Sequence, residues 1–105
     1  MKHSKITSAR VRKKQLEGIF SVRKKELEEI MGLLTEDFND LSVKQLNNVI
    51  ETFQCYKTNL ETDRNEYVMI EGEVSNFAEN LNKDYSKAID KIKHYIDVKS
   101  DLGKK

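Results

Sequence analysis

Every seventh residue from Leu46 onward is uncharged and mostly apolar: Leu46, Phe53, Leu60, Tyr67, Val74, Leu81, Ala88, Tyr95 and Leu102. Three or four residues after most of these steps comes a second apolar side chain, at Val49 and Ile50, Tyr56, Ile70, Phe77 and Ala78, Tyr85, Ile92 and Val98. The step after Leu60 is the exception, with Asp63 and Arg64. A seven-residue apolar repeat keeps one seam of a helix facing a partner helix along its whole length. Leu46, Phe53, Leu81 and Ile92 are the expected core of this seam.

Upstream, Ile6, Ala9, Leu16, Ile19, Phe20, Leu27, Ile30, Met31 and Leu34 fall on one helical face. Within that stretch Val11-Arg12-Lys13-Lys14-Gln15-Leu16-Glu17 returns eleven residues later as Val22-Arg23-Lys24-Lys25-Glu26-Leu27-Glu28. Eleven residues make three turns of about 3.67 residues, so this period is also helical. Gly18 sits inside the helix at a cost of about 1 kcal/mol relative to Ala.

The clearest punctuation is at Leu41 and Ser42. Ser42 and Gln45 are spaced as a capping box, Leu41 and Leu46 as a hydrophobic staple, and Thr35 to Asp40 carries turn chemistry. The first helix is therefore expected to end near residue 34 and the second to begin at 43. The next break signal is Gly72, followed by Ser75 as a cap. Two architectures compete. A turn at Gly72 gives three helices, near 6–34, 43–70 and 75–100, with frayed ends at 1–5 and 103–105 and Gly103 as the last stop. A continuous helix through Gly72 gives an extended hairpin that dimerises to cover its unpaired half. The wider apolar stripe after Val74, which takes in Ala78, Ile89 and Ile96, suits a helix touching two others. The reading adopted is an all-α, antiparallel three-helix bundle with coiled-coil-like packing, a single domain over residues 1–105.

Composition supports long solvated helices: 37% hydrophobic, 35% charged, no Pro, no Trp and four Gly in 105 residues. The longest wholly apolar run is Val68-Met69-Ile70, so no membrane span and no signal sequence is expected. The lone Cys55 is expected to be a buried or half-buried thiol of a reducing, cytoplasmic compartment. The net charge of +1 hides a segregation. Residues 1–25 hold nine Lys/Arg against one Glu, residues 26–80 hold three against thirteen acids, and residues 81–105 hold seven against four. In an up-down-up bundle the basic start of helix 1 lies beside the acids around Gly72. The acids Glu26, Glu28, Glu29 and Glu36 lie beside Lys93, Lys99, Lys104 and Lys105.

No chemical constellation emerges. His3 and His94 are far apart, and the acids nearest His94, Asp90 and Asp97, match no metal motif. No phosphate loop, nucleophile elbow or cysteine pair is present. No cofactor and no enzymatic activity are expected. The aromatic residues fall mostly on the seam and read as core; Tyr85 and Tyr95, flanked by Lys83, Lys87 and Lys93, come nearest to a base-stacking platform. The strongest functional signal is the basic first helix. Cations near a helix N-terminus oppose the macrodipole and call for something acidic to offset them. Lys5, Arg10, Arg12, Lys13, Lys14, Arg23, Lys24 and Lys25 are the candidate contacts to an acidic partner, to nucleic-acid phosphates, or to the protein's own acidic middle.

Ile70-Glu71-Gly72, with Phe77 and a helix beyond, is similar in outline to the W-x-G turn of small helical partners in type VII secretion. Ile70 stands where that motif has Trp, and the turn falls at residue 72 of 105. The basic-led helical pattern is likewise similar in outline to the coiled-coil stalk proteins of type III secretion. The chain is assigned to neither. The function expected is that of a helical interaction protein, an adaptor, small chaperone or assembly subunit, whose partner is another protein or a second copy. The alternative is a small nucleic-acid-binding regulator.

Overall fold

The computed structural model describes residues 2–103, with side chains from Ser8 to Asp101. Met1, Lys104 and Lys105 lie outside the described residues. Helix α1 spans Lys2–Glu36, α2 spans Val43–Glu71 and α3 spans Asn76–Gly103. One 3-10 turn, Phe38–Asp40, links α1 to α2. Both ends of α1 lie outside the expected limits, and α3 runs three residues past 100.

The helix ends follow from capping chemistry. The Thr35 hydroxyl donates to the Met31 carbonyl at 2.9 Å and the Asp37 amide to Leu33 at 2.9 Å, closing α1. Ser42 and Gln45 form the expected capping box: the Gln45 amide donates to Ser42 Oγ at 3.1 Å, and the Ser42 amide donates to Gln45 Oε1 at 2.8 Å. Two amides that α2 would leave orphaned are thereby satisfied. At the other end Gly72 adopts φ +79, the left-handed region, and its amide donates to the Val68 carbonyl at 2.7 Å. Ser75 then caps α3, accepting from the Ala78 amide through Oγ at 3.2 Å.

The reversal at Gly72 settles the architecture as a three-helix bundle and excludes the continuous second helix. The seven-residue phase crosses the turn in sequence only. Val74, on phase, lies in the connection and is 55% exposed. The remaining seam behaves as read: Leu46, Phe53, Leu60, Leu81, Ala88 and Ile92 are buried, and Tyr67 and Tyr95 are half-buried. From α1, Leu16, Phe20, Leu27 and Leu34 complete a continuous core.

Aromatic pairs mark the core at three levels. Phe53 and Tyr85 meet edge-on at 5.5 Å near the middle. Phe20 and Tyr67 lie 6.2 Å apart toward the Gly72 end, and Phe38 and Tyr95 meet at 5.1 Å at the other. Phe38 thus pins the first connection, with Lys99 Nζ 4.5 Å above its ring. The particle measures 69 × 18 × 18 Å, with a radius of gyration of 17.7 Å. It is longer than the roughly 45 Å expected of 30-residue helices. Ion pairs of Arg12 with Glu66 and Lys13 with Glu71 set the register, so the first turns of α1 run on past the Gly72 turn.

Candidate functional site

Segregated charge becomes geometry along α1. The Arg12 guanidinium forks onto Glu66, with Nη2 2.9 Å from Oε1, and Lys13 Nζ lies 3.1 Å from Glu71. Hydrogen bonding from Arg12 lowers the pKa of Glu66 below its ordinary value, and the same bond raises that of Arg12. Lys13 is raised by its hydrogen bond to Glu71. Nearby, burial raises the Asp63 carboxyl, against the opposing pull of Arg12. Lys24 reaches across to Asp84 of α3 at 3.3 Å. Arg23 pairs with Glu26 at 3.0 Å and stacks its guanidinium 4.1 Å above the Tyr56 ring.

Four of the eight candidate cations, Arg12, Lys13, Arg23 and Lys24, are thus held by the protein itself. Arg10, Lys14 and Lys25 are exposed and make no ion pair among the described residues. The Lys5 side chain lies outside the described residues, as does that of His3.

The acidic end of α1 departs from expectation. Glu26 and Glu28 pair within their own helix, with Arg23 and Lys24. Lys99 turns to Phe38 instead of to an acid. Lys104 and Lys105, the other expected partners, lie outside the described residues. Arg64 takes Glu79, Nε to Oε1 2.9 Å, bracing the start of α3 against α2.

The stacking platform dissolves in part. Tyr85 is fully buried, and its hydroxyl donates to the Arg23 carbonyl at 3.1 Å. Burial pushes its pKa up to about 12. Cys55 is exposed on α2, not buried as expected, because it falls between the core positions Phe53 and Tyr56. His94, Asp90 and Asp97 are exposed. Among the described residues, no group of three or more His, Cys, Asp or Glu converges to hold a metal, and no helix is long and apolar enough to cross a membrane.

What the structure adds is a second face of α1. Val11 is 49% exposed, Val22 54% and Leu33 57%. They are eleven residues apart, and α1's core face lies on the opposite side of the helix. Between them Gly18 leaves a shallow groove whose walls include Gln15, Ile19, Val22 and Glu26. An added Cβ at Gly18 would meet nothing within 4 Å. Half of this stripe was visible in the eleven-residue repeat, which pairs Val11 with Val22. Leu33 lies one further period on, but the surrounding motif does not recur there. A second apolar group of three, Met69, Val74 and Phe77, is exposed around the Gly72 turn.

Comparison with protein-family models, with curated proteins and with solved structures finds no match to this chain. The surface is therefore read from its own chemistry.

Proposed function

We propose that this protein works by helix-to-helix contact, as a non-enzymatic adaptor, small chaperone or assembly subunit that binds through the outer face of α1. The observation that carries the reading is the row Val11, Val22 and Leu33, each about half exposed on a helix whose other face already fills the core. Single exposed apolar residues are ordinary, but a row of them along one helix matches the spaced anchors of helix-alongside-helix recognition. Flanking charges on the same helix supply register.

The nucleic-acid reading is weakened by the internal use of Arg12, Lys13, Arg23 and Lys24. Two variants separate the classes. Val22→Glu disrupts the apolar face, and Arg10→Glu with Lys14→Glu reverses the uncommitted cations. Loss of the protein partner, whether another chain or a second copy, with the first variant, and its retention with the second at high salt, is the expected result. Duplex binding that Val22→Glu leaves intact, with log K falling by about 0.9 per log unit of salt for each phosphate contacted, would overturn it.

A further inference from the structure

The outer face of α1 carries Val11, Gln15, Gly18, Val22, Glu26, Glu29 and Leu33. Steps of three and four residues about a central position are common to every helical face; what this sequence adds is an exposed apolar residue at the centre, Val22, and at both ends, Val11 and Leu33. We propose that the partner of this face is a second copy of the same chain, docked antiparallel along α1 with the two-fold axis at Val22. The inference rests on the reading of this face as a docking surface and names its occupant.

In an isologous contact, residue i of one copy faces residue j of the other, and j faces i. With the axis at Val22, Val22 meets its own counterpart and Val11 meets Leu33 of the second copy. All three apolar anchors are then covered, each by another. Gln15 meets Glu29, so the two polar positions of the row face each other. The Gln15 carbonyl already accepts from Arg12 Nη1 at 3.3 Å, which leaves its amide N–H groups to donate to the Glu29 carboxylate. Gly18 meets Glu26, which Arg23 holds at 3.0 Å, and the absent side chain provides the room.

Charge fixes the direction. A two-fold axis across antiparallel helices brings like flanks together. Lys14 therefore falls beside Glu28 of the second copy, and Arg10 beside its Glu36. All four side chains are exposed and both pairs are opposite in sign; the like-signed pair that this axis brings near, Arg23 with its own counterpart, is offset by the Glu26 that each Arg23 holds at 3.0 Å. A parallel, in-register contact would instead set Glu29 against Glu29 and Lys14 against Lys14, which is the arrangement that like-charge repulsion penalises. Ile19 and Ile30, half-buried on the other flank, widen the apolar contact.

The test uses the full chain in a Cys55→Ser background, since Cys55 is exposed and would cross-link by itself. Sedimentation equilibrium of the wild type should give a dimer that dissociates on dilution, and Val22→Glu, which places two carboxylates at the axis, should weaken it at least tenfold. Direction is read by mild oxidation of cysteine variants. Val22→Cys should cross-link to itself. Val11→Cys and Leu33→Cys should each remain uncross-linked alone and form a disulfide when mixed. Self-cross-linking of Val11→Cys or of Leu33→Cys would overturn the antiparallel pairing. A wild type that stays monomeric up to about 1 mM, a concentration at which even weak specific pairs are populated, would overturn self-association. If such a monomer still captured another protein in a manner sensitive to Val22→Glu, the docking reading of the face would stand and only the identity of its occupant would fall.

Discussion

Replacing Gly72 with Ala isolates one backbone angle. Gly72 holds φ +79, and a Cβ added there would touch nothing within 4 Å, so the substitution brings conformational strain without a clash. For an L residue the left-handed region costs about 1–2 kcal/mol. Against this, Ala narrows the unfolded ensemble relative to Gly, which returns about 0.4–1 kcal/mol. The net expectation is a destabilisation of about 1 kcal/mol. Gly32 supplies an internal control. It lies within α1, exposed, with nothing within 4 Å of an added Cβ and no positive φ. There the same Gly→Ala change should stabilise by about 0.5–1 kcal/mol, because Ala is the better helix former. Urea unfolding followed by helical circular dichroism, at one protein concentration for all variants, reads both effects. With m near 1–3 kcal/mol/M, each midpoint should move by roughly 0.3–1 M, in opposite directions. A stabilised Gly72→Ala variant would refute the turn, and a destabilised Gly32→Ala variant would refute the accounting behind both numbers.

Leu81, 1% exposed, should cost about 2–5 kcal/mol when cut to Ala, and a loss below about 0.5 kcal/mol in the same unfolding assay would place the seam in solvent. Ser42→Ala removes the acceptor for the Gln45 amide and should cost about 1 kcal/mol, with Ser42→Asp restoring most of it. Tyr85 gives a pH signature. Its pKa is raised from 10.0 to about 12 in the fold, so the stability that depends on its neutral form is fully present below pH 10 and is lost as pH rises toward 12. Thermal melts across that window should fall more steeply for the wild type than for Tyr85→Phe, which cannot ionise; equal slopes would contradict the buried hydroxyl.

The fold was legible because its determinants are local or periodic. The Ser42–Gln45 box and the Gly72 turn are short-range chemistry, and the seam from Leu46 to Ile92 is a repeat that any window of two heptads displays. Pairing across helices was legible only in outline: charge segregation sets the basic start of α1 beside the acids around Gly72, where Arg12 meets Glu66 and Lys13 meets Glu71, but it does not name the partner of each cation. Periodicity places Lys24 and Glu28 on a helix but does not say that Lys24 will reach Asp84 while Glu28 stays with Lys24. The same gap hid Tyr85, whose neighbouring lysines suggested a wet platform until its hydroxyl found the Arg23 carbonyl. It also hid the outer stripe of α1. Val11, Val22 and Leu33 fall off the apolar face that carries Leu16, Phe20, Leu27 and Leu34, and the eleven-residue repeat pairs the first two; what the sequence does not say is that no other helix packs on that side. The cations of the first 25 residues stood out in the chain, yet their division into those the protein uses and those it presents rests largely on contacts 54 to 60 residues away in sequence, as of Arg12 with Glu66 and Lys24 with Asp84.

A cross-section of 18 × 18 Å over a length of 69 Å means that the core is one side chain thick in every direction. Such a rod is a stack of layers, each made by one turn from each helix and supported mainly by the layers above and below it, much as repeat proteins are. Damage to one layer should therefore remain near it. Amide exchange should be slowest around Phe53, Tyr85 and the Arg23 carbonyl and should quicken smoothly toward both tips, in place of a single cooperative opening. The rod is also modular in length. Adding one heptad to all three helices at the same level inserts a layer and preserves every other contact, whereas adding it to α1 alone between Arg12 and Lys24 would slip one part of that helix past its neighbours, so that Arg12–Glu66 and Lys24–Asp84 could no longer both form.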